Sequence, residues 1–268
     1  MKELLSLPRE LIAGRKLIFQ LARNDFKKKY AGSYLGIVWA FVQPVVTIMV
    51  YWFVFGLALR NPTPRPVPFV LWLIAGLVPW FFFQDGLVNG TNALLEYNYL
   101  VKKVVFRIDI LPMVKVVSAI FVHLFFVLVT LILYTAMGYF PTIYTLQVIY
   151  YTFCVFVLVL GPSYMTSSVV VFFRDLTQVI NIALQVGVWM TPIMWSLDDV
   201  GIGGILAKIL KLNPMFYIVQ GYRDAFVNKV WFWERPWICL YFWIVTLVFW
   251  LIGTRLFKKL KVHFADVL

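Results

Sequence analysis

Charge is scarce in this chain. Charged residues make up 13% of its 268 positions, and only 12 of them are acidic, against 24 basic. A water-soluble domain of this length needs more charge to cover its surface. The means of catalysis are scarce too. Cys154 and Cys239 lie in apolar runs with no Cys-x-x-Cys spacing and read as small apolar side chains. His123 and His263 each stand alone, so no pair has metal-ligand spacing. No Gly-x-x-x-x-Gly-Lys-Ser/Thr loop occurs, and the cluster Gly201-Ile-Gly-Gly204 lacks its lysine. No nucleophile elbow is present. Any driven work therefore draws on a partner or an ion gradient.

What the chain has in quantity is apolar sequence, 62% of its residues. Uncharged windows run over Tyr30–Leu59, Val116–Phe173, Leu176–Leu197 and Pro236–Thr254, or 30, 58, 22 and 19 residues. About 20 apolar residues cross a bilayer as a helix. In hydrocarbon only helices and closed barrels satisfy every backbone group, and these windows are too long for barrel strands. The longest window holds two spans, broken near Gly138-Tyr-Phe-Pro141. Residues 67–93 form another span despite Asp85. The expected fold is an all-α membrane protein with six spans, at about 37–59, 67–93, 114–137, 146–172, 177–196 and 236–257. Pro8, Arg9 and Glu10 interrupt the first apolar stretch, so no signal peptide is expected.

Six spans put both termini on one side. Seventeen basic residues fall on that side and seven on the other. Basic residues accumulate in the cytoplasm, which makes both termini cytoplasmic. The net charge of +12 then reflects topology and lipid headgroups. No soluble basic domain is present to bind nucleic acid. The segment from about Pro8 to Tyr30 reads as an interfacial helix, with Leu11, Ile12, Arg15, Ile18, Phe19, Ala22 and Phe26 near one face, Arg15 being the exception to its apolar character. The alternative is an amphipathic helix packed on the protein itself. Between spans five and six, residues 198–235 are too apolar for a free loop. Two short re-entrant helices divided at Asn213-Pro214 fit them.

Several segments are specific. Arg23-Asn-Asp-Phe-Lys-Lys-Lys-Tyr-Ala-Gly-Ser-Tyr-Leu-Gly-Ile-Val-Trp-Ala-Phe-Val-Gln-Pro44 leads into span one. Val78-Pro-Trp-Phe-Phe-Phe83 lies in span two, and Phe172-Phe-Arg-Asp-Leu176 follows span four. Thr191-Pro-Ile193, Asn213-Pro-Met and Tyr222-Arg-Asp224 come before span six. In this order they resemble ABC-2-type permeases that export cell-surface polysaccharides, and the similarity covers essentially the whole chain. One departure is the loop Val104-Val-Phe-Arg-Ile-Asp-Ile-Leu-Pro112, which lacks the proline that many relatives carry after the position of Phe106.

The resemblance implies a half-transporter with an N-terminal segment 1–34, a transmembrane domain 35–258 and a tail 259–268. It would pair with a second copy of itself and two copies of a separate ATPase, in a bacterial plasma membrane. ATP and Mg would sit on that partner, with no cofactor and no enzyme activity on this chain. The substrate would be a lipid-linked glycan, teichoic acid first and O-antigen next. Glu96, Lys102, Lys103, Arg107 and Asp109 would form the coupling loop to the ATPase, with Arg174 and Asp175 a second contact or an intrachain ion pair. Lys27, Lys28 and Lys29 would attract an anionic headgroup at the cytoplasmic side. Tyr30, Tyr34, Trp39 and Phe41 would offer aromatic faces to sugar rings, the first, second and fourth sharing one helical face. Asp85, an acid inside a span, would face the pathway or pair with Gln84, Asn89 or backbone. Asn213, Pro214, Tyr222 and Arg223 would belong to an external gate. Two rivals stay open. One is a drug or lipid exporter of the same superfamily. The other is a polyprenol-dependent glycosyltransferase, which needs clustered external acids, whereas Asp198-Asp199 is the sole acidic pair.

Overall fold

The computed structural model describes residues 11, 13–29, 34–58, 66–101, 107–197, 201 and 203–267. The described residues are helical or in turns, with no strand. Helix α1 (Arg15–Lys29) precedes α2 (Gly36–Ala58), α3 (Phe69–Glu96), α4 (Ile108–Ala136) and α5 (Ile143–Val170). Then come α6 (Leu176–Met190), α7 (Gly204–Lys211), α8 (Pro214–Arg223) and α9 (Pro236–His263). Helices α2, α3, α4, α5 and α9 are long and apolar enough to cross a membrane. Their bounds fall within six residues of five expected spans.

The fifth expected span, 177–196, is cut short. Helix α6 ends at Met190, and Thr191 takes extended backbone with ψ 123°. The cause is local: the ring of Pro192 clashes with a helical conformation in the residue before it. The chain then turns through residues 191–197 and re-enters helix at α7. Asn213 caps α8 by accepting the Met215 N–H at 3.0 Å, with Pro214 at the first helical position. Two short helices thus flank Asn213-Pro214, as the sequence suggests.

Helix α3 is the hub. Of its most apolar window 72% is buried, against 11% for α2. It packs on α4, α5 and α8, while α9 closes against α5. The α5–α9 crossing is close because Gly161 faces Gly253 there. Several buried hydroxyls satisfy themselves within their own helices. Thr91 donates to the Leu87 carbonyl, Thr130 to Phe126 and Thr254 to Trp250. In hydrocarbon no water is available to take these bonds.

Helix α1 packs on the protein. Ile18, Ala22 and Asp25 are buried against α4. Phe19 and Phe26 lie 5.8 and 5.7 Å from the Phe121 ring. The opposite face, with Lys16, Arg23 and Lys27, stays exposed. The helix is thus docked on the protein by one face, the arrangement that the alternative reading describes. Asp25 sits on the docked face because Lys115 of α4 donates to it at 2.7 Å and the Tyr97 hydroxyl at 2.8 Å. Lys115 also bridges Glu96. Burial, then the Asp25 charge, push the Tyr97 hydroxyl far above its ordinary pKa, so it remains a donor.

Candidate functional site

A cavity of about 710 Å³ opens between α2, α3, α4 and α6. Its wall alternates amides with rings. Gln43 and Thr47 come from α2 one turn apart, and Asn181 and Gln185 repeat the spacing on α6. Gln84 and Asp85 come from α3. Trp39, Tyr51, Trp80 and Phe81 supply the aromatic surface. Amides can donate and accept at once, which suits ligand hydroxyls. Few contacts tie α2 to the bundle, so its polar side chains are left to face the cavity.

At the edge of the cavity Lys29, the last residue of α1, donates to Asp85 Oδ1 at 2.6 Å. Asn89, one turn along α3, donates to the same oxygen at 2.8 Å. Asp85 therefore both lines the cavity and is paired; the expected partner Asn89 is present, and Lys29 joins it. His123 closes another part of the wall. Its ring stacks on Phe82 at 4.8 Å. Its Nε2 lies 3.0 Å from the Tyr222 hydroxyl, which in turn is 2.7 Å from Thr152 Oγ1. The cavity wall is thereby bonded to α8.

The structure sorts the expected site residues. Lys29, Trp39 and Asp85 line the cavity. Lys27 and Lys28 are exposed beside it in sequence. Phe41 turns away, its ring 4.1 Å from Phe125, and Tyr34 is fully exposed. The expected shared face of Tyr34 and Phe41 does not exist, because Gly36 at φ +52° breaks the helical path between them. Tyr30 lies outside the described residues.

The coupling set divides likewise. Lys102 and Lys103 lie outside the described residues. Arg107 is exposed. Asp109 is not on the surface: it is 7% exposed, ion-paired with Lys261, and its carbonyl accepts from Tyr164 at 2.7 Å. Glu96 is held by Lys115. The two acids are therefore tied to the body of the protein on either side of the loop. Arg174 and Asp175 are exposed after α5, and no ion pair joins them among the described residues.

In the gate set, Tyr222 and Arg223 are buried struts and present no free surface. Arg223 donates to the Pro192 and Ile193 carbonyls at 2.7 and 2.6 Å, and its guanidinium lies 3.3 Å over the Trp72 ring. Carbonyls released where α6 breaks are thus satisfied by α8. Asn213 adds a second tie, donating to Thr191 Oγ1 at 2.7 Å. Sequence reasoning missed Gln43, Asn181, Gln185 and Asp25. The signal for three of them was amides placed within uncharged windows, each at i, i+4 spacing from another polar residue.

Comparison with known proteins agrees with this architecture. The family described as ABC-2 type transporter matches residues 16–227. The chain is similar to the "O-antigen export system permease protein RfbA" of Klebsiella pneumoniae, 29% identical over 262 residues, covering 94% of this chain and 95% of that one. A Myxococcus xanthus protein of the same name is 27% identical, covering 83% and 85%. The "Polysialic acid transport protein KpsM" of Escherichia coli is 22% identical, covering 75% and 78%. A helical membrane bundle matched over residues 16–227 leaves one conclusion: the chain belongs to the ABC-2 type transporter family.

Proposed function

We propose that this chain is the membrane-spanning subunit of an ATP-driven exporter of a lipid-linked cell-surface glycan in a bacterial plasma membrane. The observation that carries the reading is the cavity of amides and aromatic rings between α2, α3, α4 and α6. Rings stack on sugar C–H faces and amides match hydroxyls, while few fixed charges would hold a long chain in place. The names of the relatives favour an O-antigen-like glycan over the expected teichoic acid. Two copies of the chain act with two ATPase subunits, which hold ATP and Mg. The exposed apolar faces of α2 and α6, with Met49, Phe53, Ile182 and Trp189 among them, suit lipid and the second copy. The test is to purify the chain with the ATPase encoded beside it and measure ATP hydrolysis. A lipid-linked O-antigen should stimulate hydrolysis; stimulation by apolar drugs or plain phospholipid alone would move the chain to another branch of the superfamily.

Three further outcomes are expected. Both termini are cytoplasmic, so a cysteine at Lys208 labels from outside intact cells with an impermeant reagent and one at Lys259 does not. Labelling in the reverse pattern inverts the topology. Charge reversal at Lys102, Lys103 and Arg107 together lets the complex assemble but uncouples export from hydrolysis, and export at the normal rate would exclude the loop as the transmission element. Trp39→Leu keeps apolar volume and removes the ring. Insertion and basal hydrolysis stay normal, while export and substrate stimulation fall. Tyr34→Leu, off the cavity, serves as the unaffected control.

A further inference from the structure

Three lysines close α1, and one of them is set apart. Lys27 and Lys28 are exposed, while Lys29 has crossed to Asp85 of α3 at 2.6 Å. Asp85 lies 11 residues before Glu96, so it sits about 16 Å in from that end of α3 at about 1.5 Å per residue. An acid at such depth is costly unless paired. Its other hydrogen-bond donor, Asn89, is neutral and cannot balance the charge. Yet the pair is not sealed. The two side chains are 32% and 37% exposed, and both line the cavity. A ligand in the cavity can therefore reach both charges.

We propose that the Lys29–Asp85 pair is an exchange site for the diphosphate head of a lipid-linked ligand. The head takes Lys29, and Asp85 is released to Asn89 and the cavity. The inference rests on the export reading above and adds what part of the ligand is recognised and at whose expense. Asp85 sets the selectivity. An ordinary phospholipid head is a phosphodiester with one negative charge, so it offers Lys29 no more than Asp85 already does. A diphosphate diester carries two charges and more acceptor oxygens. The exchange also reports occupancy. Asp25, four residues before Lys29, stays locked to Lys115 and Tyr97. Release at Lys29 therefore frees only the cavity end of α1 from α3.

The experiment uses the full complex with its ATPase in nanodiscs of neutral lipid. The probes are a polyprenyl diphosphate bearing a single sugar, which is the two-charge diester, and phosphatidylglycerol, each radiolabelled and measured by retention on the complex. The wild type should retain the diphosphate preferentially. Lys29→Gln should lower that retention about tenfold, equivalent to about 1.4 kcal/mol. Asp85→Asn should raise retention of both probes and narrow the difference between them, because the internal competitor is gone. The swap Lys29→Asp with Asp85→Lys rebuilds the bridge but leaves the cation on α3, and diphosphate retention should stay low. Retention restored by the swap would show a purely structural bridge and overturn the proposal, as would equal retention of both probes by the wild type. Failure of the export reading looks different: glycan-stimulated hydrolysis is absent while diphosphate retention remains.

Discussion

Lys115→Met is expected to remove most of the folded protein. Lys115 is buried between Asp25 and Glu96, with its own side chain 6% exposed. The two acids differ in what they lose. Glu96 is half exposed and can hydrate, whereas the Asp25 side chain is 8% exposed and would be left charged and unpaired by its cation. Removing one partner of such a buried pair costs about 3–5 kcal/mol. That is a large part of a domain's margin. The check is thermal stability in detergent, read as the fraction surviving size exclusion after heating. Glu96→Gln should shift it little. Combining Lys115→Met with Asp25→Asn should recover most of the loss, since no charge is then stranded. Wild-type stability in the single Lys115→Met variant would mean that water reaches Asp25 and that the docking of α1 does not depend on this pair.

The second large effect is expected at the crossing of α5 and α9. A Cβ added at Gly253 would fall well inside contact distance of the Gly161 carbonyl oxygen. One added at Gly161 would lie 2.8 Å from the backbone C of Phe249 and N of Trp250. Both obstacles are main chain, so no rotamer change relieves them. Without a hydrophobic drive between helices in lipid, close backbone approach supplies much of the association. Gly253→Ala is expected to cost about 1–3 kcal/mol, the usual range for overpacking. Gly253→Leu should abolish accumulation of monodisperse protein, measured as a fluorescent fusion on size exclusion. Gly203→Ala is the control, because nothing lies within 4 Å of a Cβ there. A wild-type profile for Gly253→Leu would place α9 elsewhere.

The spans were legible because lipid enforces a rule that needs no partner information: long uncharged windows become helices. What lay outside that rule was harder to read. Thr191-Pro192 carried the signal for the end of α6, but an apolar window with no charge until Asp198 outweighed it. The face shared by Tyr34 and Phe41 assumed one continuous helix, which Gly36 at φ +52° does not allow. Asp25 carried no local signal of a partner. Its cation is 90 residues away, beyond any local periodicity. Of the candidate site, Lys29, Trp39 and Asp85 were named from sequence, but nothing in their spacing said that Lys29 meets Asp85, 56 residues apart. The amides of α2 and α6 gain meaning only once both helices border one cavity.

The position of Lys29 in the chain also bears on biogenesis. Helix α3 is the most buried of the five long helices and the least hydropathic, at a mean of 1.5 against 2.8 for α4. It must pass from the insertion machinery into lipid carrying Gln84, Asp85, Asn89 and Asn92, before α4 or α5 has been synthesised to cover it. Its counter-charge does not have to wait. Lys29 precedes Asp85 in the chain, so when the acid emerges from the ribosome its cation is already at the membrane on α1. The insertion cost of α3 is thus lowered by a residue made earlier, and the nascent chain can hold its central helix in the bilayer until the helices that enclose it arrive.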